Sequence, residues 1–226
     1  MSIFKEIVSL WKSKDLMSQA WDESYDMLVF SEQMFSSAVK YLRKGEKTKV
    51  LKTLKKEDQK INSYQQGVRK KVVTHFSVSK NLENFPSGLV LLNIVSDVER
   101  LGDYTKNILD LAIHFPEPLI SENILDDLKD IEEEVISRFK KTLDAINEQD
   151  AILASDLLDN YKANLASISD KIVHQTISGS LSLNSNQQSS AVTLYARYLK
   201  RVGAHLKNIT TTILNPYEYI GYNKQN

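Results

Sequence analysis

Residues 99–108 read Glu-Arg-Leu-Gly-Asp-Tyr-Thr-Lys-Asn-Ile, and residues 200–209 read Lys-Arg-Val-Gly-Ala-His-Leu-Lys-Asn-Ile. At a single offset of 101 residues, Arg100/Arg201, Gly102/Gly203, Lys106/Lys207, Asn107/Asn208 and Ile108/Ile209 are identical. Val98/Leu199 and Leu101/Val202 keep apolar character. A fixed internal period marks a duplicated structural unit. The pair that differs matters most. Glu99 and Asp103 stand four apart, a spacing that places both carboxylates on one face of a helix, whereas their counterparts are Lys200 and Ala204.

Bulk properties agree with a duplicated helical protein. A chain of 226 residues accommodates two units of about 100 residues each. Seven Gly and four Pro leave few strand and turn signals. The 29 basic side chains balance 29 acidic ones, which argues against a dedicated nucleic-acid binder. With no Cys, disulfides, thiolate metal sites and thiol catalysis all drop out. No apolar run approaches the roughly 18–20 residues that span a bilayer. The opening Met1–Lys12 stretch carries Glu6 inside its apolar run and does not read as a signal peptide.

Helical periodicity predicts six helices, near 15–43, 47–79, 86–114, 122–148, 150–178 and 187–214. Leu91, Ile94, Val95, Val98, Leu101, Ile108 and Leu111 mark one apolar face of the third. Val192, Tyr195, Ala196, Leu199, Val202, Leu206 and Ile209 do the same in the sixth. Gly45 suits the end of the first helix and Pro86 the first turn of the third. Pro116 and Pro118 close the third helix and separate the halves, and Pro216 stops the sixth. The polar stretch Ser178–Ser190 is the longest expected loop. The expected fold is all-α, with two tandem three-helix bundles related by duplication. Its parts are an amphipathic segment over 1–14, bundles over 15–118 and 119–215, and a tail over 216–226.

The Glu99/Asp103 face suits a hard or borderline cation, since Mg²⁺, Mn²⁺ and iron accept carboxylate oxygens. Two carboxylates rarely suffice. Asp58 and Asn62, again four apart, lie on the preceding helix, and Asp58 has a counterpart at the same offset in Asp159. An i,i+4 acidic pair with a neighbouring arginine is equally at home on a hydrated surface. Asp110/His114 and Asp170/His174 share helical spacing too, but both histidines fall near predicted helix C-termini, where the dipole favours a cation. The chain has no H-E-x-x-H, no P-loop glycine pattern and no nucleophile motif. It does not read as an enzyme.

The segment Ser96–Ile108, Ser-Asp-Val-Glu-Arg-Leu-Gly-Asp-Tyr-Thr-Lys-Asn-Ile, resembles the signature of the PhoU phosphate-uptake regulators, and so does Ala196–Ile209. The resemblance covers nearly the whole chain, because that family is also a tandem of three-helix bundles with the motif in each third helix. It implies a non-enzymatic cytoplasmic regulator that restrains phosphate uptake, acting on a membrane phosphate transporter and its sensor histidine kinase. A homodimer and peripheral association with the inner membrane face are expected as well, with the apolar amino-terminal residues Ile3, Phe4, Ile7 and Trp11 as the candidate contact. The resemblance also implies multinuclear iron or another metal held by E/D-x-x-x-D motifs on the second and third helices. By position, Asp58, Asn62, Glu99 and Asp103 would take iron, manganese, magnesium or zinc in the first bundle. The chain departs from the pattern at Asn62, where many relatives have Asp, and at Lys200 and Ala204, so no metal is expected in the second bundle. Two other readings stand beside this one: a metal-free helical adaptor with a different partner, and an accessory protein of an ion-driven phosphate carrier.

At the amino terminus, Ile3, Phe4, Ile7, Val8 and Trp11 share a helical face with lysines nearby. The segment suits docking on a membrane or partner, or an extra turn capping the first bundle. The paired glycines, Gly102/Gly203, are expected where helices approach closely.

Overall fold

The computed structural model describes residues 15–78, 83–115, 117, 119 and 125–222. The expectations for the amino-terminal segment, for Pro116 and for Pro118 lie outside the described residues. Helix α1 runs Leu16–Lys44, α2 Thr48–Lys56, α3 Asp58–Val78 and α4 Phe85–His114. Then come α5 at Leu125–Glu148, α6 at Ala151–Tyr161, a π-helical segment Lys162–Ala166, α7 at Ser167–Ile177 and α8 at Asn186–Leu214. A 3₁₀ turn, Tyr217–Tyr219, follows. No strand occurs among the described residues.

Local chemistry sets the helix ends. The Asp15 carboxylate accepts from the Ser18 N–H at 2.9 Å, and Gly45, at φ 74°, closes α1 by donating its N–H to the Tyr41 carbonyl. Asp150 caps α6 by accepting from the Ile152 and Leu153 amides, and Ser185 caps α8 by accepting from Gln188. Pro86 lies in the first turn of α4, where its missing N–H costs nothing. The expected helix at 47–79 is broken at Glu57. There the Glu57 N–H bonds to Leu54 O and the Lys60 N–H to Glu57 O, i→i+3 contacts that tighten the turn and redirect the chain. The short α2 then buries Leu51, packing most extensively against α4. The helix expected at 150–178 is continuous but widened by the π-helical turn.

Helices α1, α3 and α4 form the first bundle; α5, the α6–α7 rod and α8 form the second. The bundles join mainly through α4 against α8, the two motif helices, and secondarily through α1 against α5. They share one apolar core. Phe35 of α1 and Phe139 of α5, both fully buried, meet across the junction with ring centroids 5.3 Å apart. Beside them Arg43 of α1 reaches Glu132 of α5 at 3.6 Å and donates to the Leu119 carbonyl. The buried Tyr195 hydroxyl of α8 donates to Glu132 at 2.6 Å. Burial pushes the Glu132 carboxyl up, opposed by that hydrogen bond and by the Arg43 charge. Burial and the adjacent Glu132 hold the Tyr195 phenol well above its ordinary value.

Candidate functional site

The acidic residues read from the sequence converge on the facing surfaces of α3 and α4, and a lysine stands among them. Asp58, in the first turn of α3, is only 7% exposed. Its Oδ2 accepts from Lys106 Nζ at 2.8 Å and from Asn62 Nδ2 at 3.2 Å, while Oδ1 is buried with no hydrogen-bond partner. Lys106 sits one turn beyond Asp103 on α4 and contacts Asp103 Oδ1, also at 2.8 Å. The other Asp103 oxygen takes Arg100 Nη1 at 3.0 Å, and Glu99 lies 3.7 Å from Arg100 Nε. Asp58 and Asp103 are thus brought together around one ammonium, Asn62 is bonded to Asp58, and Glu99 is drawn to Arg100.

The electrostatics follow from that arrangement. Partial burial pushes the Glu99 carboxyl up, the Asp103 charge adds to this, and Arg100 and Lys106 oppose it. For Lys106, burial pulls the ammonium down, but hydrogen bonds to Asp103 and Asp58, with their charges, outweigh it and leave the group raised. Gly102 makes the approach of the two helices possible. A Cβ there would lie 2.8 Å from Ile61 Cδ1 and 3.0 Å from Asp58 Oδ1.

The second bundle keeps the frame and changes the chemistry. Gly203 is again the point of close approach, with Leu165 Cδ1 2.7 Å and Tyr161 Cε2 3.4 Å from an added Cβ. The residue beneath it is therefore Tyr161, and the sequence match of Asp58 to Asp159 does not hold in space: Asp159 is exposed. The facing residues are Asp58 and Ile61 in one half and Tyr161 and Leu165 in the other, spacings of three and four. The π-helical turn supplies the extra residue. Lys207, matching Lys106, lies 5.6 Å from the Tyr161 ring centroid, and burial lowers its ammonium. Lys200 pairs with Asp170 at 2.5 Å.

Between the motif helices, repeat-equivalent residues exchange as a local two-fold would exchange them. His205 Nδ1 meets Asp97 Oδ1 at 2.7 Å, and Asn208 Nδ2 donates to the same oxygen at 3.1 Å. Shifting Asp97 and His205 by the 101-residue offset gives Tyr198 and Tyr104, whose rings lie 6.1 Å apart in the corresponding contact. Arg201 has no carboxylate at either motif position beside it. Its Nε instead donates to Tyr104 Oη at 3.0 Å, whereas Arg100 stays with Glu99 and Asp103. These contacts, and Lys106, were not read from the sequence. The Lys106/Lys207 identity was visible, but its bond to a residue on another helix leaves no trace in a linear pattern.

Lys55, Arg100, Asp103, Tyr104, Lys106, Asn107 and Asp110 line an open cleft of about 460 Å³ along α4. Lys55 spans to Asp110 at 2.5 Å, which places Asp110 with a lysine rather than in a metal pair with His114. The carboxylates carried over from the resemblance are already engaged by Lys106 and Arg100. Among the described residues no group of three or more His, Cys, Asp or Glu is arranged to hold a metal. As folded, the chain's own cations occupy this donor set.

Residues 25–112 match the PhoU domain family model. No curated protein matches the chain. Among solved structures, the crystal structure of PhoU from Pseudomonas aeruginosa superposes with a TM-score of 0.76 at 18% identity, covering 88% of this chain and 95% of that one. The match spans both bundles, so the tandem arrangement is common to the two proteins. Residues 25–112 are therefore similar to the PhoU domain, and the chain has the PhoU fold over nearly all its length.

Proposed function

We propose that this protein is a non-enzymatic regulator of phosphate transport and phosphate-starvation signalling, working at the cytoplasmic face of the membrane by binding a phosphate transporter or its sensor histidine kinase. The PhoU domain over residues 25–112 carries this reading, and the PhoU fold of the whole chain supports it. The site geometry agrees. Small-molecule sites are mostly enclosed and apolar, whereas the α4 cleft is open and lined by charged and polar side chains engaged with one another. Such a surface suits a macromolecular partner.

Charge distribution indicates where that partner binds. Residues 40–60 hold nine basic side chains against three acidic ones in a chain of zero formal charge. Lys44, Lys47, Lys49, Lys52, Lys56 and Lys60 are all exposed on the α1–α3 turn region. An acidic surface on the transporter or kinase would be steered to this end. No helix of the described residues is long and apolar enough to cross a membrane. Deleting the gene in its host should raise phosphate uptake or starvation-reporter output in phosphate-replete medium, with restoration by the intact chain. Unchanged uptake and reporter output would overturn the proposal.

A further inference from the structure

We propose that the Lys106 ammonium is the built-in cation of the first-bundle acidic cluster, so that α3 and α4 are clamped together without a metal ion. Asp58 Oδ2 and Asp103 Oδ1 come from different helices, and both lie 2.8 Å from the same Nζ. Asn62, carried over as a ligand, donates an N–H to Asp58, so its Nδ2 faces the carboxylate as a donor. A metal ion binding these oxygens at about 2.0–2.6 Å would share the space between them with the ammonium. It would have to expel a lysine whose proton is held by two carboxylates. Arg100 occupies the second Asp103 oxygen and lies nearest Glu99, so displacing Lys106 alone does not free the set.

The second bundle supports the assignment independently. Lys207 stands at the same repeat position and the same close approach, although the group facing it is the Tyr161 ring rather than a carboxylate. The cation is common to both halves; the acidic partners are not. Binding to a phosphate transporter or kinase is a separate matter, and this inference holds or fails without it.

The test compares wild type, Lys106→Met and Lys106→Met/Asp58→Asn, each stripped of metal, incubated with Mn²⁺, Zn²⁺ or anaerobic Fe²⁺, desalted and measured for metal content and thermal unfolding. Wild type is expected to retain only substoichiometric metal and to show no rise in Tm. Lys106→Met leaves a buried carboxylate unpaired, so its metal-free Tm should fall by about 5–10 °C. Part of that loss should return with added metal. The double variant, with the charge removed from both partners, should recover stability without metal and ignore its addition. Stoichiometric metal in wild type that disappears in Glu99→Ala/Asp103→Ala would overturn the proposal. So would a Lys106→Met protein as stable as wild type, or a double variant no more stable than the single one.

Discussion

Gly102 leaves no space for a side chain, because a Cβ would press on the fully buried Ile61 and on the one Asp58 oxygen that lacks a partner. Gly102→Val is therefore expected to cost about 3 kcal/mol by overpacking, read as a shift in the urea midpoint at unchanged slope. Gly67 is a useful contrast. A Cβ there meets only the end of the flexible Glu23 side chain, so Gly67→Ala should be neutral or gain up to about 1 kcal/mol from helix propensity. Equal losses at both positions would show that the close approach at Gly102 has no special role. Glu132 supplies a pH dependence. Its carboxyl is raised in the folded protein, so the folded state holds a proton there that the unfolded chain releases near pH 4.3. Stability from this group falls as pH rises through the window between those two values and stays lowered above it. Wild type should accordingly gain in Tm relative to Glu132→Gln as pH falls from neutrality towards the unfolded-state value. A constant difference across that range would mean that Glu132 ionises as it does in water.

At the scale of helices, the motif elements were legible in the sequence and their neighbours were not. The offset of 101 identified α4 and α8, because both are regular α-helices and a linear repeat maps directly onto their faces. Gly102 and Gly203 duly occupy matching points of close approach. The same offset fails one helix earlier, where the residues under the glycines stand 103 (Asp58/Tyr161) and 104 (Ile61/Leu165) apart; the π-helical turn at Lys162–Ala166 accounts for the one-residue difference between those pairs, not for the shift itself. Nothing in the composition of that segment announces a widened turn. The break at Glu57 was equally silent, since 47–79 has helical periodicity throughout, and ahead of the break the short α2 buries Leu51 and packs mostly on α4. Cross-helix bonds such as Asp97–His205 and Lys106–Asp58 depend on the three-dimensional register and are invisible in a one-dimensional spacing. The first of these makes an element-level prediction. Asp97→Ala removes the acceptor shared by His205 and Asn208, leaving polar groups unpaired between α4 and α8. It should cost about 1–3 kcal/mol and speed amide exchange in both helices. Exchange accelerated in α3 alone would place the coupling within the first bundle instead.

Across the whole molecule the two ends of the charge distribution are separated along the chain. Residues 40–60 are strongly basic, so the remainder of a chain with zero formal charge must carry the compensating acidic excess. The exposed lysines at 49, 52 and 56 contribute little to folding, because isolated surface charges change stability by less than about 1 kcal/mol. On the proposed function, their role is in partner binding. Lys49→Glu/Lys52→Glu/Lys56→Glu is expected to leave Tm within a few degrees of wild type. It should slow association with membranes containing the phosphate transporter or sensor kinase, and the effect should shrink as salt rises, since exposed charges are screened beyond about 8 Å at physiological ionic strength. Surface plasmon resonance at two ionic strengths separates this from a folding defect: steering acts on the association rate, whereas a damaged interface also shortens the lifetime of the complex. A triple variant that binds at the wild-type rate in low salt would move the contact surface elsewhere, with the open cleft along α4 the next face to examine.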